Sequence, residues 1–396
     1  MKFNKKVLDN GLTILHEERE VPVTTVMLSV KYGSAYESEE EKGMAHFMEH
    51  LCFKGTEKRD VNQIAGEVEK VGGILNAFTS EEITAYHVRL PSEHLGVATD
   101  VIFDIFFNAS FPEEEVKKEA NVICEEIKMY KDNPRAHVLE MIKNSLYEKP
   151  FGMFIAGSEE GVRGMSRKML FEKHRQMYTP ENAVLTVVGN NSFEEVVKLA
   201  EKFVVERKGD SHKIPDINKK IEKDSESRDN LTQSNMALGF HFPKMDEKGR
   251  YSSEVFSAIL GQGMSSKLFR EVREKRGLVY SVKTELDLGK NYGYLVIFAG
   301  TDPGKVDEVE KVCLEEFSKM KEVTEEELMA AKIQVIGNRH VEEESSSDVA
   351  VGLVLEEFSG NAEEYYEYSK RINEVTLEDV KEFAKMTEFA RFSLGP

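Results

Sequence analysis

Short apolar runs of strand length alternate along the chain with longer stretches whose apolar positions repeat at helical spacing. Residues 24–32 carry Val and Thr among other apolar side chains and read as a strand. Residues 84–90 read the same way and stop before Pro91. In the second half, 235–242 and 292–299 repeat the pattern, the latter ahead of Pro303, with a helix expected over 251–260. Asp9-Asn10-Gly11 marks a hairpin turn near the start. Residues 112–130 form one predicted helix, with Pro112 in its first turn and Glu113, Glu114 and Glu115 after it. Val116, Ala120, Ile123, Ile127 and Tyr130 lie within about 40° of one direction on it and define its buried stripe.

Between Arg207 and Asn235 the periodicity is lost, broken by Gly209, Asp210, Ser211, Pro215 and Ser225. This divides the chain into an N-terminal domain over 1–207, a linker over 208–234 and a C-terminal domain over 235–396. Each half runs strand, helix, strands, helices, an order that suggests a duplication. The expected class is α+β.

One predicted helix carries His46-Phe47-Met48-Glu49-His50, an H-x-x-E-H arrangement. His46 and His50 are four apart and about 40° from each other on one face, so both imidazoles can reach one metal ion. Glu49 sits on the same side, where it can take a proton from water held by that metal. Such a pair of ligands needs a third. On the 112–130 helix Glu125 points away from the stripe, whereas Glu126 lies about 80° off its centre and Glu119 about 60° off on the same flank. A carboxylate at the border of a buried stripe can reach an adjoining helix, which favours Glu126 as ligand with Glu119 as its supporting partner. Spacing alone does not bring this helix to the histidine helix.

Residues 43–56, Gly-Met-Ala-His-Phe-Met-Glu-His-Leu-Cys-Phe-Lys-Gly-Thr, resemble the signature of the pitrilysin-type (M16) zinc metallopeptidases, and the chain is similar to short M16B-like prokaryotic members related to the mitochondrial processing peptidase beta subunit. The resemblance implies a third zinc ligand 76 residues after His50, at Glu126, and a supporting Glu seven residues earlier, at Glu119. The Arg that usually follows the latter is Ala120 here. Gly72-Gly73-Ile74-Leu75-Asn76-Ala77-Phe78-Thr79-Ser80 resembles the family's substrate-side edge strand, implying that Asn76, Ala77 and Phe78 bind substrate. Residues 268–280 resemble its Arg/Tyr segment, with Arg273 and Tyr280 as the implied pair holding substrate carbonyls and the oxyanion. The implied fold is two similar domains, each a mostly antiparallel sheet with helices packed on one face, the LuxS/MPP-like metallohydrolase architecture. Only the first carries metal, one Zn2+ per chain, since the helix over 253–260 has no His.

Composition narrows the alternatives. Lys and Arg number 53 against 72 Asp and Glu, a formal net charge of −19, which argues against a nucleic-acid partner. No apolar run approaches the roughly 20 residues of a membrane span, and the basic start leads into a hairpin, so a soluble, cytoplasmic protein is expected. Cys52, Cys124 and Cys313 form no close pair and read as buried thiols.

The expected activity is zinc-dependent hydrolysis of short unstructured peptides inside a chamber, with Glu49 as general base. Large single-chain family members hold about four such domains and this chain holds two. A homodimer is therefore expected, each Arg273 and Tyr280 serving the partner's zinc. The alternative is a non-catalytic peptide-binding or assembly subunit of the same fold, although in such subunits the H-x-x-E-H residues are typically degraded. A processing peptidase for specific precursors would use the same chemistry; the short Gly261-Gln262-Gly263-Met264 segment leans towards general peptide turnover.

Overall fold

A computed structural model describes residues 2–209, 213–245 and 247–396. Met1, and the Asp210 and Ser211 expected to break the linker, lie outside these. Among the described residues eleven strands run in chain order: β1 (Lys2–Val7), β2 (Thr13–Glu18), β3 (Val23–Val30), β4 (Ile74–Thr79), β5 (Thr84–Pro91), β6 (Ala183–Gly189), β7 (Lys223–Ser227), β8 (Ser234–His241), β9 (Val279–Leu288), β10 (Gly293–Thr301) and β11 (Ala390–Gly395). They build two sheets, one in each of two compact units.

The first unit comprises Met1–Ile127, Phe154–Pro215 and Glu342–Tyr365. Its sheet has the order β1-β2-β6-β3-β5-β4, antiparallel except for the β2–β6 pair. The Asp9-Asn10-Gly11 turn closes the β1–β2 hairpin as expected, with Gly11 at φ 91°. The second unit comprises Lys128–Met153, Asp216–Val341 and Tyr366–Pro396, with sheet order β7-β11-β8-β10-β9. Here too one pair, β7–β11, is parallel and the rest antiparallel. Strand for strand, β2, β3, β4, β5 and β6 have the same arrangement as β7, β8, β9, β10 and β11. The repeated order is the duplication suggested by the sequence, now visible as topology.

The expectation that helices cover one face of each sheet needs correction. One face of the first sheet packs Val26, Leu28, Tyr86 and Val88 under helices Met44–Cys52 and Leu95–Asn108. The other packs Leu15, Met27, Val184 and Val188 against Val349, Ala350, Leu353 and Val354 of helix Ser346–Ser359. Cover on both sides is why β3 and β6 are buried along nearly their whole length rather than alternately, the Thr and Ser of β3 included. In the second sheet helix Pro134–Leu146 lies against β8 and β11. Gly239 of β8 makes room for it, since a Cβ there would lie 2.8 Å from Leu146 and 3.0 Å from Ile142.

Each sheet therefore takes a covering helix from the other half of the sequence, and the compact units do not follow the contiguous division at 208–234. The expected linker itself contributes β7 to the second sheet. Helix Glu113–Asp132 forms where the sequence indicated, with Val116, Ile123 and Ile127 buried and Glu125 exposed, but Tyr130 is exposed instead of closing the stripe. All three cysteines are free and buried. Among the described residues no helix is long and apolar enough to cross a membrane.

Candidate metal centre and active site

The histidine helix Met44–Cys52 begins at Gly43, whose φ of 99° and lack of a side chain leave no ordinary N-cap. Glu37, fully buried, supplies one instead. It accepts the Gly43 N–H at 3.0 Å and the Ala45 N–H at 2.6 Å, with the Lys42 ammonium 3.9 Å away. A Cβ at Gly43 would lie 2.5 Å from the Ala156 carbonyl oxygen, so glycine is required for the close approach as well as for the turn. The inner side of the helix, Met44, Ala45, Phe47, Met48, Leu51 and Cys52, is buried, which leaves His46, Glu49 and His50 on the remaining arc.

Helix Glu113–Asp132 meets that arc. His46 Nε2 and His50 Nε2 each lie 3.6 Å from the same Glu126 oxygen, and ligand atoms from the three residues fall within 4.8 Å of one another. At 3.6 Å these pairs are too far apart to be hydrogen bonds. Ligands about 2.1 Å from a tetrahedral zinc would themselves be separated by roughly 3.4 Å, so the gap suits a shared cation. Two imidazoles and a carboxylate are also the three-ligand N/O set of catalytic rather than structural zinc sites. The residues fit the ion.

The surroundings prepare the ligands. Burial, with a smaller contribution from His50, pushes the His46 imidazole down to about 4, so it is neutral and able to coordinate near neutrality. Burial alone would also lower His50, but its bond to Glu119 and the charges of Glu49 and Glu126 outweigh that and raise it. His50 Nδ1 is 3.1 Å from Glu119, which also holds the Lys54 ammonium at 2.9 Å. Burial would raise Glu119, yet these two partners bring it below the ordinary carboxylate range. A carboxylate on Nδ1 fixes the tautomer that leaves Nε2 free for metal.

Glu49 lies between this centre and the sheet edge. Its carboxylate accepts a 2.5 Å hydrogen bond from the Thr79 hydroxyl at the end of β4. Burial raises its pKa, with the Thr79 bond opposing. The outer edge of β4 pairs with no strand among the described residues. Asn76 and Ala77 sit on it, the Asn76 side chain accepting from the Ala77 N–H, whereas the Phe78 ring packs on the opposite face of the sheet.

Arg273 and Tyr280 belong to the second unit. Arg273 lies in a π-helical turn, Phe269–Glu274, with its guanidinium 4.8 Å from the Phe269 ring centre and its side chain 45% exposed. Tyr280 is half exposed, and its ring rests on the backbone of Gly300, where a Cβ would lie 2.6 Å away. Three contributors were not singled out from the sequence: Glu37, Lys54 and Thr79. Lys54 and Thr79 stood inside quoted motifs, and a Glu six residues ahead of Gly43, at the start of the histidine helix, was the available signal for Glu37.

The family description "Insulinase (Peptidase family M16)" matches residues 12–158, and "Peptidase M16 inactive domain" matches 164–335. A Rickettsia felis protein named "Uncharacterized zinc protease" is 36% identical over 342 residues, covering 85% of this chain and 82% of its own. The chain belongs to peptidase family M16. "Uncharacterized zinc protease YmxG" of Bacillus subtilis is 32% identical over 383 residues, covering 95% and 93%. Among solved structures, a protease from Helicobacter pylori superposes with a TM-score of 0.91 at 25% identity, covering 100% of this chain and 99% of that one. A Pseudomonas fluorescens structure described as a peptidase M16 inactive domain gives 0.92 at 20% identity, covering 100% and 98%, and shares the fold. The M16 assignment and the two-domain α+β architecture expected from the sequence both stand. The match to the inactive-domain description falls on the half without the histidine motif.

Proposed function

We propose that this chain is a zinc-dependent endopeptidase acting on short, unstructured peptides in a chamber formed by two subunits. The observation that carries the reading is the convergence of His46, His50 and Glu126 within 4.8 Å, with Glu49 on the same helix and bonded to the open edge strand. His46, His50 and Glu126 would hold the zinc ion. When bound, zinc supplies Lewis-acid polarisation of a peptide carbonyl and lowers the pKa of water.

The remaining work falls to the protein. A peptide added at the edge of β4 is held by backbone hydrogen bonds, which accept many sequences. Glu49 takes the proton from the attacking water and returns it to the leaving amine nitrogen. The Thr79 bond keeps its carboxylate between helix and strand while this happens. Glu119, braced by Lys54, orients His50. Arg273 and Tyr280 of a second copy would hold the substrate carbonyl and the developing oxyanion.

Unstructured peptides should be cleaved by the zinc-loaded protein, not by the chelated one, and again after zinc is restored. Glu49→Gln should keep the metal and lose at least 100-fold in kcat, in line with loss of a general base. Cleavage by a metal-loaded Glu49→Gln protein would remove Glu49 from its role. Bound zinc without cleavage by the native chain would instead favour a peptide-binding subunit.

A further inference from the structure

His46 and His50 are supported in different ways. The His50 ring is held at its Nδ1 by Glu119, with Lys54 behind it. His46 has no counterpart: its Nδ1 is buried, and among the described residues no protein group bonds to it. A ligand imidazole without such a partner is aimed by its own backbone and by the packing around it.

That backbone lies at the very start of the helix. His46 is the third residue of Met44–Cys52 and so belongs to the first turn, the part of a helix that frays. Here the turn is tied down. The Met44 N–H donates to the Glu41 carbonyl at 2.9 Å, and Glu37 accepts the N–H groups on either side, at Gly43 and Ala45. The Glu37 carboxylate is wholly buried. Lys42, also buried, stands 3.9 Å from it and donates to the Ser34 carbonyl at 2.8 Å. Residues 156 and 157 press on the same turn: a Cβ at Gly157 would lie 2.2 Å from the Lys42 carbonyl oxygen.

We propose that Glu37 is the positioning residue of His46, acting through the helix start as Glu119 acts on His50 through its ring. The assignment rests on the metal centre of the peptidase reading and not on cleavage. Charge matters here as well as reach. A carboxylate accepts the two N–H groups on separate oxygens, and its negative charge suits a helix N-terminus. Glutamine has the same shape but one acceptor oxygen, and its NH2 would face the second N–H. The first turn then loosens, and His46 spends less time aimed at the ion.

Zinc affinity of the full-length chain, measured by chelator competition, tests this without turnover. Glu37→Gln should bind zinc about tenfold more weakly than the native chain, the scale expected when an outer contact of a ligand is weakened. Glu37→Asp keeps the charge with less reach and should fall between the two; it decides the question if Glu37→Gln does not fold. The telling readout is which ligand the loss depends on. In a His46→Ala chain, adding Glu37→Gln should cost under about twofold, because the residue it aims is gone. In a Lys54→Met chain, which is altered through His50, the two losses should multiply to about a hundredfold. Native affinity in both Glu37 variants, or a tenfold loss that persists without His46, would overturn the role. A native chain that binds no zinc would overturn the metal centre and this role together. Zinc binding without cleavage would leave Glu37 in place and remove only the peptidase reading.

Discussion

Lys54 touches Glu119, Glu119 touches His50, and the other nitrogen of His50 faces Glu126. A ligand imidazole held this way loses the freedom to rotate off the metal, and weakening such an outer contact typically costs 10- to 100-fold in metal affinity. Lys54→Met should therefore weaken zinc binding by about tenfold, measured by competition with a chromogenic chelator. Lys54→Arg, which restores a cation within reach of the carboxylate, should recover most of it. Equal zinc affinity in native protein and Lys54→Met would reduce Lys54 to a surface residue. The ligands themselves were legible from the sequence, because two His four apart on a helix share a face whatever surrounds them. Lys54 was not, because its partner lies 65 positions away and only packing of two helices brings them together.

At the scale of elements, the main lesson comes from β3, β6 and β8. β3 and β8 were read as strands from the sequence and β6 was not, yet all three are buried along nearly their whole length. Unbroken burial means both faces are covered, but an apolar run does not say by what. The covers are helices Ser346–Ser359 and Pro134–Leu146, each from the other half of the chain. Gly239 records this contact. Gly239→Val should destabilise the protein by about 1–3 kcal/mol through overpacking against Ile142 and Leu146, read as a lower urea midpoint. An unchanged midpoint would mean that the helix can move away without cost. The contiguous boundary expected at 208–234 failed for the same reason: loss of periodicity marks where elements stop, and β7 is too short and too exposed to announce itself.

Considered whole, the described residues hold two copies of one topology and one set of metal ligands. The histidine slot of the second copy is filled by helix Gly249–Gly261, which has no His and is mostly buried. The Arg273 and Tyr280 pair lies instead in that second copy, both side chains open to solvent. In the proposed homodimer each pair serves the partner's zinc site, and sedimentation should give about twice the 45.1 kDa chain mass. Mixing inactive Glu49→Gln and Arg273→Ala chains should then restore activity, because a mixed dimer has one site with both parts intact. Random exchange of equal amounts predicts about a quarter of the native rate. A fully active monomer, or no recovery on mixing, would sink the shared site.

By itself the sequence determined the local features: strands from β-branched runs, a hairpin from Asp9-Asn10-Gly11, and a helix presenting His46, Glu49 and His50 together. These depend on neighbours within a few residues, where backbone geometry sets the spacing. It also supplied Glu126 as a candidate, through its position beside a buried stripe. Only the tertiary structure decided that Glu126 meets both histidines, that Thr79 holds Glu49, and that each sheet borrows a helix from the opposite half. Those outcomes depend on which distant apolar surfaces fit each other, and a hydrophobic face is nearly blind to the sequence position of its partner.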